Sequence, residues 1–309
     1  MLMKRTIFSS VLVLSFLGFS LDTGRSEQLT FTFQAIGSSK EITATLIKPE
    51  REGLFPAVVV MHDCSGLGPR SSGAPQRWAQ ELVSRGYVAL IPDSFTPRGF
   101  PGGVCTVSDS ERNVTNGHIR AGDAYGALAT LRKIPYIDGN HIGIMGGSHG
   151  GWTALAAMSA PISESDPLSD AKRKGFSAAV AFYPSCAARY GTWSTVRQNK
   201  TFGPVVSHSG VYKPIGPVLI LIGEKDDWTP AEDCRKMVVA SRNAGFPVSV
   251  IIYPGAHHSF DSDTPVRYNA LRTNASSPSG KGATTGGDSA AWLDSKKQVV
   301  SFFDLHLKP

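Results

Sequence analysis

The chain predicts an α/β protein with a mostly parallel central sheet and helices on both faces, in one domain over residues 27–309. Three observations carry that reading. Continuous apolar runs, such as Pro56–Met61, Tyr87–Pro92, Ala178–Tyr183 and Pro217–Ile222, have the pattern of strands covered on both faces. Stretches with apolar residues at helical spacing lie between them. The two kinds alternate along the chain, as parallel strands require, because each crossover needs a long connection, usually a helix.

At the N-terminus, Lys4 and Arg5 precede the apolar stretch Ile7–Leu21, which reads as a secretory leader over residues 1–26. The stretch is short for a membrane span. Export to the periplasm or the exterior is therefore expected, with no stable membrane association after cleavage; an uncleaved anchor is the alternative. Leu29–Ala35 and Ile42–Ile47 alternate apolar and polar residues, as half-buried antiparallel strands do. The buried strand Pro56–Met61 leads to a helix over Gln76–Arg85, with Trp78, Leu82 and Val83 on one side and Gly86 as its stop. After the strand Tyr87–Pro92, residues 111–133 contain a helix through Ala121, Ala124, Tyr125, Leu128 and Leu131. Ile142–Met145 is a strand that runs into a glycine-rich turn and a helix from Trp152. Ala178–Tyr183 and Pro217–Ile222 are further buried strands, and Ala231–Asn243 is a helix stopped by Gly245. Val248–Tyr253 is the last strand expected, and Asp288–Leu305 is a closing helix with Trp292, Val299 and Phe303 on one face. Segments 186–216 and 261–287 do not fit the alternation. The second, rich in Ser, Gly, Thr and Asn, is expected as a long functional or mobile loop.

Composition excludes several classes of function. With 309 residues, 41% hydrophobic and 18% charged, the chain is of ordinary globular make-up. The net charge of +6 falls to +4 without Lys4, Arg5, Arg25 and Asp22, and no basic run is present, so nucleic-acid binding has little support. None of the four cysteines forms Cys-x-x-Cys, which speaks against zinc or thioredoxin-type chemistry, and no metal or cofactor is expected. An even number in an exported protein favours two disulfides out of three pairings. Cys64 and Cys105 leave neighbouring strands in the expected order, and so do Cys186 and Cys234. Those are the pairs expected.

The chemistry-bearing motif is Gly146-Gly147-Ser148-His149-Gly150, placed between strand and helix. A serine hydroxyl becomes a nucleophile when a tight turn presents it and a base takes its proton. Ligands of open parallel sheets bind beyond the carboxyl ends of the strands. The loop leaving Pro217–Ile222 carries Asp226 and Asp227, and the loop leaving Val248–Tyr253 carries His257 and His258. Taken singly, the carboxylates could belong to a solvated turn before a helix, and either histidine could be a surface residue. Taken together, serine, acid and histidine in that order on strand-exit loops predict a hydrolytic triad.

The stretches Val58–Gly66, Ile91–Asp93, Gly146–Gly151, Gly223–Pro230 and His258–Phe260 are similar to those of the dienelactone hydrolase family of α/β-hydrolases. The resemblance spans essentially residues 29–306 and implies an α/β-hydrolase fold. It selects Asp226, in Asp-x-x-Thr-Pro, and His258, followed by Ser-Phe. It implies an oxyanion hole from the backbone N–H groups of Cys64 and His149, donors that stabilise the tetrahedral intermediate. Dienelactone hydrolases proper carry a cysteine where Ser148 stands and hold a substrate carboxylate with arginines. Arg98 loosely matches one of these, whereas the loop after His258 is acidic where another is expected. Trp228 is a further candidate for substrate contact, and Phe95, Phe100 and Trp193 hint at an apolar group. The resulting expectation is a secreted serine hydrolase acting on small-molecule carboxylic esters, with lactones as a second substrate type and an anionic dienelactone disfavoured. A serine peptidase, an acyltransferase and a non-catalytic binding protein on the same fold are its rivals.

Overall fold

The computed structural model describes residues 26–161, 163–200 and 203–308. The expected leader, apart from Ser26, lies outside the described residues. In chain order the elements are β1 (Ser26–Gln34), β2 (Glu41–Pro49), β3 (Phe55–Met61), α1 (Ala74–Ser84), β4 (Val88–Pro92), α2 (Asp109–Arg112), α3 (Gly117–Leu131) and β5 (Ile137–Gly147). They continue as α4 (His149–Met158), α5 (Ser169–Arg173), β6 (Ala179–Phe182), β7 (Ser194–Lys200), β8 (Gly203–Ser209) and β9 (Val218–Gly223). The chain closes with α6 (Ala231–Asn243), β10 (Val248–Tyr253), β11 (Arg267–Thr273), β12 (Lys281–Thr285) and α7 (Ser289–Leu307).

Eight strands form one sheet in the order β1-β2-β4-β3-β5-β6-β9-β10. Pairing is parallel from β4 to β10, and β1 and β2 extend that edge antiparallel. Every residue of β4, β6 and β9 is buried, which is why their sequences are continuous apolar runs. The two faces are read on β5. Gly143 leaves room for Phe303 and Leu307 of α7, whereas Gly146, on the opposite face, meets Gly150 of α4. Trp78 of α1 packs edge-on against Trp292 of α7, placing those helices together, while α3 lies against α4 on the other side.

Helix starts follow local chemistry. The Asn116 side chain accepts from the N–H groups of His118 and Ile119 at the head of α3, and Asp288 does the same for Ala290 and Ala291 at α7. Gly86, with φ of 86°, follows α1.

The two segments outside the alternation are not plain loops. Each contains an antiparallel hairpin, β7–β8 and β11–β12, so Val248–Tyr253 is not the last strand. The hairpins escape a periodicity search because they bury little: β11 is exposed over its first five residues. Two disulfides are present, Cys64–Cys105 and Cys186–Cys234. The first ties the exit of β3 to the loop after β4, and the second ties the exit of β6 to α6.

Candidate active site

The turn between β5 and α4 is forced by close packing. Any Cβ on Gly150 would stand 2.1 Å from the Met61 carbonyl oxygen, so only glycine lets β3, β5 and α4 converge. Ser148 is held at φ 54°, a left-handed conformation costly for a residue with a side chain. Its hydroxyl therefore projects beyond the carboxyl end of the sheet.

There Ser148 Oγ lies 2.9 Å from His258 Nε2, and His258 Nδ1 lies 2.8 Å from Asp226 Oδ2. The carboxylate only accepts, so Nδ1 carries the proton and Nε2 is free to take one from the serine. Asp226 is oriented by the N–H groups of Trp228 and Thr229, which donate to Oδ1 at 3.0 and 2.8 Å. The Thr229 hydroxyl sits against Asp226 Oδ2, His258 Nδ1 and the Tyr183 carbonyl. All three triad side chains are nearly buried; His258 is fully so.

The neighbouring candidates have other partners. Asp227 accepts from the N–H and hydroxyl of Thr284, and so pins the β11–β12 hairpin. His257 is partly exposed and bonds only the Lys225 carbonyl through Nδ1. His149 opens α4, where a helix leaves its first N–H groups without intrahelical acceptors. Cys64 follows β3, and its carbonyl accepts from Val104 N–H at 2.7 Å, holding the loop beside Ser148.

The substrate-contact candidates divide. Trp228 packs its ring 4.8 Å from His258 and lines both cavities at the site. Arg98 does not reach the site. Its guanidinium is buried and bonds both oxygens of Asp123, at 2.8 and 2.9 Å, and the Ser94 carbonyl. A buried carboxylate demands such a partner, and Asp123 has claimed this one. Phe95 and Trp193 are also interior residues, Phe95 in a cluster with Cys64 and Val104, and Trp193 stacked on His208.

Other residues line the cleft instead. A cavity of about 250 Å³ opens beside Ser148 and His258, with Arg70, Arg267 and Arg272 in its wall. None of the three has an ion-pair partner among the described residues. Arg272 lies over the Trp228 ring, 4.6 Å from its centroid, and burial pulls its pKa down. The one acidic wall residue, Asp63, is occupied by Ser65 and Ser72. A second cavity of about 120 Å³ flanks Ser148 on the side of His149, Trp152, Ala187 and Ala275, with Arg112 and the Asp233-paired Arg197 also in its wall. The acidic Asp261 faces inward, accepting from Trp78 Nε1 and the Tyr183 hydroxyl, and burial pushes its carboxyl up. The three arginines were not legible as a site because two sit on the hairpin that periodicity misses and one in the long loop after β3. Among the described residues no His, Cys, Asp and Glu cluster could hold a metal ion.

Sheet order, elbow and strand-exit loops together define an α/β-hydrolase. The family model for the dienelactone hydrolase family matches residues 42–304, and the chain belongs to that family of hydrolases. A Yersinia pestis protein named "Putative carboxymethylenebutenolidase" is 25% identical over 237 residues, 74% of this chain and 78% of that one. Thermogutta terrifontis esterase 2, in a structure phosphorylated by paraoxon, matches with a TM-score of 0.57 at 17% identity, over 91% of this chain and 96% of its own. Dipeptidyl peptidase 4 of Porphyromonas gingivalis matches with a TM-score of 0.56 at 18% identity, over 91% of this chain but 35% of its own. Likeness at that identity speaks for the fold.

Proposed function

We propose that this chain is a serine carboxylic-ester hydrolase working through an acyl-enzyme, with Ser148 as nucleophile, His258 as base and Asp226 as orienting acid. The carrying observation is the Ser148–His258–Asp226 relay, with contacts of 2.9 and 2.8 Å. As Oγ bonds the ester carbonyl carbon, its proton passes to His258 Nε2 and the carbonyl π pair moves to oxygen, between the Cys64 and His149 N–H groups. Collapse expels the alkoxide, which takes the proton from Nε2. Water, activated by the same histidine, then releases the acid.

The two cavities beside Ser148 suit the two arms of an ester. The larger, with three arginines and no free carboxylate, favours an arm bearing a negative group, and the smaller takes the other arm. Where the sequence disfavours an anionic dienelactone, we propose an ester with an anionic arm, held by cations other than Arg98. Two disulfides fit an oxidising compartment, and we place the protein outside the cytoplasm on that ground.

The test is Ser148→Ala, which should abolish ester hydrolysis and labelling by a fluorophosphonate while leaving the circular dichroism unchanged. Retained turnover would sink the reading. Arg272→Gln should raise KM for a carboxylate-bearing ester about tenfold, roughly 1.4 kcal/mol, and leave a neutral ester unaffected. Equal effects on both esters would count against the anionic arm. Products formed with added alcohol separate hydrolase from acyltransferase.

A further inference from the structure

Arg120, on α3, has no solvent exposure and lies behind the turn that presents Ser148. Its Nη1 bonds Nδ1 of His149 at 2.7 Å, and its Nη2 donates to the His62 carbonyl at 2.8 Å. The guanidinium lies over the face of Phe95, 4.8 Å from the ring centroid. The two acceptors belong to separate segments, and each adjoins one donor of the oxyanion hole. His149 supplies one N–H itself, and His62 stands two residues before Cys64 at the exit of β3. We propose that Arg120 is a positioning residue for the oxyanion hole: its planar fork ties the β3 exit to the start of α4, sets the spacing of the two N–H groups, and places a fixed positive charge behind the developing oxyanion. The proposal rests on Ser148 being the nucleophile.

Three features favour this over simple packing. First, Arg120 bonds no carboxylate. Asp123, one turn further along α3, has both oxygens on Arg98. Asp123 and the other nearby carboxylates act on Arg120 through charge alone; a buried cation whose hydrogen bonds go only to neutral acceptors is costly, and an apolar side chain of similar volume would fill the space more cheaply. Second, the one side-chain partner, His149, is tuned to accept. Burial, then the charge of Arg120, holds both His62 and His149 well below the usual histidine range, so both rings are neutral. His149 Nδ1 is then a lone-pair acceptor and its proton sits on Nε2. Burial draws Arg120 itself down to about 9, so it keeps its charge at neutral pH. Third, the fork is held rigid by Phe95, which also packs edge-on against both histidine rings. A lysine could supply the charge but not both bonds in one plane.

The experiment uses the full chain and compares wild type, Arg120→Met and Arg120→Lys on a p-nitrophenyl ester and with an aryl trifluoromethyl ketone. Ser148 Oγ adds to the ketone carbon, its proton goes to His258, and the oxygen becomes a stable mimic of the oxyanion. Arg120→Met should lower kcat by about 10²-fold with KM within about threefold, and weaken the ketone in parallel with kcat. Arg120→Lys should fall between the two. A merely structural role would lower the yield of folded protein without that parallel. A folded Arg120→Met with wild-type kcat and ketone affinity overturns the proposal; if it does not fold, Arg120→Lys decides by the same two numbers. Wild-type protein in which fluorophosphonate leaves Ser148 unlabelled would instead remove the nucleophile reading, whatever the Arg120 variants do.

Discussion

At the scale of the residue, adjacent side chains of one type take unlike roles because the fold gives them unlike partners. His258 is sealed between Ser148 and Asp226, whereas His257 touches one carbonyl at the surface. His258→Ala should lower kcat by about 10⁴-fold or more and His257→Ala by less than about threefold, measured on a p-nitrophenyl ester. The reverse ranking would reassign the base. Asp226 and Asp227 form a similar pair. The motif around Ser148 was legible in the sequence because a strained turn needs glycines at set positions. Arg98 was misread for an equally local reason: sequence shows a cation near a strand exit but not the buried Asp123 that claims it.

At the scale of the element, the β11–β12 hairpin forms one wall of the larger cavity through Arg267 and Arg272. It is anchored to the Asp226 loop by Asp227 on Thr284, and to the Cys105 loop by Thr273 N–H on the Cys105 carbonyl. Asp227→Ala removes the first anchor. KM for an anionic ester should then rise about tenfold, roughly 1.4 kcal/mol, with kcat changed less. A fall confined to kcat would place Asp227 in the triad instead. The core strands were legible because burial on both faces writes a continuous apolar run. Neither hairpin is written that way, since each pairs mainly with itself and leaves side chains such as Tyr268 and Leu271 exposed.

At the scale of the whole molecule, buried neutral histidines tie stability to pH. His62 and His149 are depressed by burial and by Arg120, while in the unfolded chain they take up protons near 6.5. The folded state binds fewer protons there, so their contribution is complete above that pH and lost as pH falls below it. Each can contribute a slope of up to about 1.4 kcal/mol per pH unit. Asp261, raised by burial, works in the opposite sense: its contribution is lost as pH rises through its folded pKa and recovered on acidification. Its window lies nearer the carboxylate range, so the histidines govern the upper part of the acid limb. Urea midpoints should therefore drop between pH 7 and 5.5, with a shallower slope in His62→Gln. A flat profile would show that these rings are not kept neutral in the fold.

The sequence by itself determined the sheet, the elbow and the order of serine, aspartate and histidine at the strand exits. Each of those depends on short-range constraints: strand burial, glycine geometry and strand-exit position. Only the tertiary structure decided which arginines face the cleft and which are spent inside. It also decided that Asp261 points inward and that Arg120 spans two segments far apart in the chain. Those outcomes depend on which buried charge meets which partner, and a buried charge is matched through space rather than along the sequence.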